Sequence, residues 1–198
     1  MTTLRIAFLG DSMTNGTGDP AMLGWVGRVC AAACARGHDV TAYNLGIRRE
    51  TSADIHARWR EEVAPRLPPE HPRALVFSFG VNDCVEENGA PRVSPEATLH
   101  HAQAMLSAAR AIAPVLFVGP PPIDDDGVNA RAAALDARLS ALCADLAIPH
   151  LPVLAPLLAD SHWLAEARAG DGAHPAARGY AAMAALVDAW PAWRAWLP

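Results

Sequence analysis

Three short apolar runs, each stopped by glycine, constrain this chain more than any other feature. Residues 4–9 end at Gly10, residues 74–79 at Gly80 and residues 115–118 at Gly119. Runs this short, nearly free of polar residues, have the length and character of buried parallel strands. Helical patterns lie between them. Residues 22–36 carry Val26, Val29, Cys30 and Ala33 at three- and four-residue steps, with Gly37 as the stop. Thr51, Ser52 and Asp54 are potential caps for a helix bearing Ile55, Trp59 and Val63, which Pro65, Pro68, Pro69 and Pro72 bring to an end. Ser94-Pro95-Glu96 sets an N-cap, a first-turn proline and an acid at the positive end of another helix. After Gly127 comes the cleanest period of all, running from Val128 through Leu135 and Leu139 to Leu146. Two weaker strands fall at residues 40–45 and 150–154, and an Ala-rich helix started by Pro175 closes the chain. Strand and helix thus alternate about five times, which predicts an α/β fold: a doubly wound, mostly parallel five-stranded sheet with helices on both faces. Residues 1–198 read as one domain, with no repeat or linker.

Composition narrows the functional classes. At 52% hydrophobic and 19% charged residues the chain is globular rather than disordered. A net charge of −5 without a basic run gives no footprint for nucleic acid or an anionic membrane surface. No apolar stretch approaches the roughly 18 residues of a membrane span, and the first apolar run is too short for a signal peptide. Cys30, Cys34, Cys84 and Cys143 form no Cys-x-x-Cys pair, so no cysteine zinc site is expected; they read as small hydrophobes in a reducing compartment. A cytoplasmic protein is expected, with no metal and no cofactor. Asp124-Asp125-Asp126 lacks the spacing of a calcium loop and reads as a turn capping the next helix.

Three strand ends carry polar, glycine-bearing turns: Gly10-Asp11-Ser12, Asn44-Leu45-Gly46 and Gly80-Val81-Asn82-Asp83. In a parallel sheet these ends share one edge, the edge where ligands bind. Ser12 supplies a hydroxyl, Gly46 a backbone N–H open to approach, and Asn82 an amide. That is a nucleophile with donors for a developing oxyanion. His174 and Asp171, three residues apart on a glycine-bearing loop, fit the base and the acid that orients it. Asp11 and Asp83 read as structural acids bonding loop amides, and His100-His101 as solvated side chains.

These blocks, with Pro175 and Gly179-Tyr180 behind His174, resemble those of the SGNH hydrolases, the GDSL-type esterase and lipase superfamily, in the same order and over nearly the whole chain. Met13 stands where that pattern more usually has leucine. The resemblance implies a three-layer α/β/α, flavodoxin-like domain with sheet order 2-1-3-4-5. It also implies metal-free ester hydrolysis through a serine acyl-enzyme: Ser12 as nucleophile, His174 as base, Asp171 as its partner, and the Ser12 N–H, the Gly46 N–H and the Asn82 side chain as oxyanion hole.

The substrate is less defined. Compact loops favour a small-molecule ester with a short acyl group such as acetyl; thioesters, lysophospholipids and transfer to an acceptor other than water stay open. Trp25, Arg48, Arg49 and Trp163 are candidates to line the pocket. A non-catalytic flavodoxin-like binding domain is the alternative from another class, and it has no use for the Asp171/His174 pair. Oligomeric state is not legible. Trp190, Trp193 and Trp196 fit a tail packed over the core, or a dimer contact or interfacial anchor.

Overall fold

The computed structural model describes residues 3–197. Its centre is a parallel sheet of five strands: β1 (Leu4–Gly10), β2 (Val40–Gly46), β3 (Arg73–Ser78), β4 (Val115–Val118) and β5 (His150–Leu151). They lie in the order β2-β1-β3-β4-β5, the expected arrangement. The helices in chain order are α1 (Ser12–Asn15), α2 (Gly24–Ala35), α3 (Ser52–Val63), α4 (Val81–Cys84), α5 (Pro95–Arg110), α6 (Asp126–Asp145), α7 (Leu154–Ala159), α8 (Trp163–Ala169), α9 (Ala177–Ala189) and α10 (Pro191–Arg194).

Side-chain alternation along the central strands gives the layers. Phe8 meets Trp25 of α2 edge-on at 5.7 Å and Trp193 of α10 at 6.2 Å. The next residue of β1, Leu9, is in register with Phe77 of β3, which meets Trp59 of α3 on the other face. Accordingly α2 packs beside α9 and α10 beside α9, while α3, α5 and α6 pack in sequence across the opposite face. Phe77, Phe79 and Phe117 continue the second core edge to face, ending with Phe117 stacked on His150 of the outer strand. No helix among the described residues is long and apolar enough to cross a membrane.

The register places the chemistry. Gly10 pairs with Gly46 on one side and with Ser78 on the other, so three strands end in one row. Local capping follows the sequence closely: Thr51 and Asp54 form a capping box on α3, Ser94 accepts from the Ala97 N–H at α5, and Asp125 accepts from the Val128 N–H at α6.

Several elements differ from the sequence reading. Ser12 and Asn82 sit on one-turn helices, α1 and α4, rather than plain turns. Asn88-Gly89, which reads in the sequence as part of a polar loop, is the two-residue turn of a hairpin joining Glu86–Glu87 to Ala90–Pro91, both turn residues having positive φ. The last strand is two residues long because α7 already begins at Leu154. Pro175 stays outside α9, whose N-cap is Ala176. Cys34 is exposed, unlike the other three cysteines. Trp193 is fully buried, so the tail does pack on the core.

Candidate active site

The site is built from the row of strand ends outward. Beyond Gly10, Asp11 adopts an extended backbone and its Oδ1 accepts the Met13 N–H at 2.8 Å, starting the single turn of α1. Ser12 is the first residue of that turn, 5% exposed, and its own N–H has no partner among the described residues, as expected for the first amide of a helix. The turn is tied down by the Asn44 amide, which donates to the Thr14 carbonyl at 2.8 Å, and by the Thr14 hydroxyl, which donates to the Ser78 carbonyl at 3.4 Å.

His174 reaches this serine from 162 residues away: Ser12 Oγ lies 2.7 Å from Nε2. Asp171 holds the other side of the ring. Its Oδ2 accepts from Nδ1 at 2.7 Å, while Oδ1 accepts the backbone N–H groups of His174 at 2.9 Å and Ala173 at 3.0 Å. With Nδ1–H committed to the carboxylate, Nε2 is left to accept the serine proton. Desolvation alone would raise the Asp171 pKa, but these hydrogen bonds together outweigh it and hold the carboxyl down at about 2.

The loop carrying this pair is anchored by residues that spacing alone did not single out. Glu166 of α8 caps α9, its Oε2 accepting from Ala176 N–H at 2.9 Å and Gly179 N–H at 2.8 Å. The Trp163 indole donates to the Pro122 carbonyl at 2.8 Å, and its ring meets Tyr180 edge-on. The Tyr180 hydroxyl donates to the Thr17 carbonyl at 2.7 Å, joining α9 to the serine turn.

Asn82 faces the same cleft. Its Nδ2 donates one hydrogen to the Glu50 carbonyl at 2.9 Å and keeps a second. Arg58 steadies that contact, because Nε donates to both Glu50 carboxylate oxygens and Nη2 to the Leu45 carbonyl at 2.8 Å. Behind Asn82, the buried Asp83 accepts from the Ser52 N–H, the Ser52 hydroxyl and the Thr98 hydroxyl, as a structural acid should. His101, read as solvated, is instead half-buried, with Nδ1 3.0 Å from Ser52 Oγ.

Three sequence readings are corrected here. Gly46 does not face the cleft: its N–H donates to Asn44 Oδ1 at 3.0 Å. Its glycine is explained by packing, since a Cβ there would lie 2.3 Å from the Asn15 nitrogen and 2.7 Å from the Asp11 carbonyl oxygen. Trp25 and Trp163 are core residues with 0% exposure and line nothing. Arg48 and Arg49 do line the cleft. Arg49 also has φ of +69°, a conformation uncommon for a side-chain-bearing residue, and its N–H has no partner among the described residues. Arg92 Nη1 holds the Arg49 carbonyl at 2.9 Å.

The cleft has a volume of about 270 Å³, with Val81, Val85 and Ile123 as its apolar lining. A larger groove of about 610 Å³ lies where β4 begins, beside Pro114 and Trp196, and holds none of these groups. Chemistry rather than volume picks the site. Among the described residues no three His, Cys, Asp or Glu side chains come together as metal ligands.

Comparison with known proteins fits this architecture. The structure is similar to an acetylxylan esterase from Geobacillus stearothermophilus (18% identity, TM-score 0.76, covering 92% of this chain and 91% of that one). It is also similar to a member of the lipolytic G-D-S-L family from Veillonella parvula (21%, TM-score 0.75, 94% and 96%) and to a lipase/acylhydrolase from Enterococcus faecalis (24%, TM-score 0.75, 95% and 94%). No curated protein matches the sequence. The family model for GDSL-like lipases and acylhydrolases matches residues 8–182, most of the chain including both Ser12 and His174. The protein therefore belongs to the GDSL-like lipase/acylhydrolase family.

Proposed function

We propose that residues 1–198 act as one hydrolase domain that cleaves short-chain carboxylic esters through a serine acyl-enzyme. One observation carries the reading: the unbroken chain from Ser12 Oγ through His174 to Asp171, with both links at 2.7 Å. Ser12 attacks the ester carbonyl while His174 Nε2 takes its proton, and the Asp171 carboxylate stabilises the imidazolium. The oxyanion is met by the Ser12 N–H, the free Asn82 Nδ2–H and the Arg49 N–H, which takes the place expected for Gly46. His174 then protonates the departing alcohol. Water, activated by the same nitrogen, releases the acid.

A cleft of about 270 Å³ falls just below the usual span of ligand pockets, about 300 to 1,000 Å³, and this favours acetyl or other short acyl groups. The acetylxylan esterase among the similar structures points the same way. A non-catalytic binding role leaves the Ser12–His174–Asp171 alignment without a purpose. Three buried free cysteines suit a reducing cytoplasm.

Hydrolysis of a p-nitrophenyl series from acetate to palmitate, with Ser12→Ala protein as blank, tests the reading. A serine-dependent rate that falls steeply beyond butyrate is expected. A maximum at octanoate or longer moves the substrate to lipids or acyl thioesters. Equal rates with and without Ser12 would refute the mechanism.

A further inference from the structure

One wall of the cleft is cationic in a way that an acetyl ester of a neutral alcohol does not need. Arg48 and Arg49 enter it from the turn after β2, and Arg92 from the segment after the hairpin. The chain as a whole carries −5, so three arginines beside one serine run against its average.

Their partners do not neutralise them. Glu87 serves both Arg49, at 3.4 Å, and Arg92, at 3.3 Å, so one carboxylate faces two guanidinium groups. Arg92 is also spent on the Arg49 carbonyl. Arg48 forms no ion pair and no side-chain hydrogen bond among the described residues. It stands where the Ser12 cleft meets a second groove of about 400 Å³ on the far side of His174. The acids nearby are engaged elsewhere: Asp171 holds His174, and Glu166 caps α9. A neutral ester closing over Arg48 strips water from a guanidinium and offers nothing in return, whereas a carboxylate or phosphate oxygen accepts its fork of N–H groups.

We infer that the ester taken by this site carries an anionic group, a carboxylate or phosphate, bound by Arg48 on the arginine wall of the cleft. The inference rests on the esterase reading above and narrows its substrate class. The anion belongs either to the acyl half or to the alcohol half, and matched substrates separate the two.

The experiment compares kcat/KM within two pairs, each corrected with Ser12→Ala protein. The first pair is 4-nitrophenyl hydrogen adipate against its methyl ester, with the charge on the acyl side. The second is 4-acetoxybenzoate against methyl 4-acetoxybenzoate, with the charge on the leaving group. The anionic member of one pair should be preferred about tenfold or more, the scale of one charge-assisted hydrogen bond. The preference should weaken as sodium chloride is raised. Arg48→Gln should erase it and Arg48→Glu should invert it; Arg48 is exposed in the folded chain, so folding is not at stake. Serine-dependent hydrolysis with ratios near one in both pairs overturns the inference and leaves the esterase intact. An anionic preference that survives Arg48→Gln overturns the assignment to Arg48. Absence of serine-dependent hydrolysis in all four substrates overturns the esterase reading, and this inference with it.

Discussion

Glu166 touches no reacting atom, yet the geometry makes it a positioning residue for His174. Its Oε2 accepts the Ala176 and Gly179 N–H groups at 2.9 and 2.8 Å, and Oε1 accepts from Arg178 at 3.3 Å. Ala176, the N-cap of α9, has no side chain that can do this work. Glu166→Ala removes the cap, worth about 0.5–2 kcal/mol, and a carboxylate at the positive helix end, worth about 0.3–1 kcal/mol. Glu166 is half-buried, so water reaches some of the freed amides and the sum falls near 2 kcal/mol, about the middle of that range. For a chain of this size that lowers Tm by about 4–8 °C. His174 lies two residues before the cap, and small misplacement of a catalytic group costs up to about 10² in rate, so kcat should fall about ten- to a hundredfold. Glu166→Gln keeps one acceptor oxygen and should fall between. Urea unfolding beside steady-state hydrolysis of p-nitrophenyl acetate measures both effects. An Ala variant within about 0.5 kcal/mol of wild type, the range of an ordinary surface change, with unaltered kcat would refute the positioning role.

Three further outcomes follow from the same geometry. Asn82→Ala should lower kcat about 10²–10³-fold at nearly constant KM, because it deletes a donor that matters most in the transition state; a loss confined to KM would argue against an oxyanion role. Gly46→Ala keeps the backbone N–H but drives a Cβ against Asn15 and Asp11, so steady-state assays should find kcat reduced, with a stability loss of about 1–3 kcal/mol. A fully active, equally stable Gly46→Ala protein would show that the close contact is not needed. Asp11 is pushed from 3.8 up to about 7, first by burial and further by the neighbouring Asp83 charge, against the hydrogen bond from Met13. Its folded-state pKa is raised, so the unfolded chain ionises first: the Asp11 contribution to stability declines between about pH 4 and pH 7 and levels off above. Asp11→Asn does not titrate, and urea titrations should find its stability relative to wild type rising across that window; a gap constant with pH would contradict the burial argument.

The scaffold was legible because burial and alternation leave a strong trace. Residues 4–9 and 74–79 could hardly be anything but central strands, and the caps at Thr51, Ser94 and Asp125 mark helix starts by their own chemistry. Ser12, Asn82, Asp171 and His174 were legible as a set, and the structure brings them to one cleft. What failed was inference from residue type to surroundings. Trp25 and Trp163 look like pocket walls in a sequence, but both rings are buried, Trp25 against Phe8 of the sheet and Trp163 against Tyr180 of α9. Gly46 looked like an open N–H; its missing side chain serves α1 instead. Arg49 gave no signal for a left-handed backbone, because nothing in an arginine announces a positive φ. Glu166 was silent for another reason: it caps a helix ten residues downstream, beyond the reach of any local capping pattern.

The correction at Gly46 bears on how the site is held together. Asp11, Gly46 and Asn15 approach so closely that β2 acts as a backstop for the serine turn. The same strand end is fixed by Arg58, whose Nη2 donates to the Leu45 carbonyl and, at 3.3 Å, to the Gly10 carbonyl while Nε holds Glu50. Glu50 in turn accepts from Asn82 through its carbonyl. The Ser12 turn, the arginine turn and Asn82 are therefore spaced by one guanidinium reaching across two strand ends, not by three independent loops. Oxyanion donors gain most from being fixed before the charge develops. Arg58→Ala should therefore damage activity more than Asn82→Ala does, although Arg58 is nowhere in the cleft lining. Arg58→Lys should not rescue it, since one ammonium cannot serve the carboxylate and two carbonyls along the directions that the planar fork reaches. Full activity in Arg58→Lys, measured beside Asn82→Ala under the same assay, would mean that the strand ends hold their spacing without it.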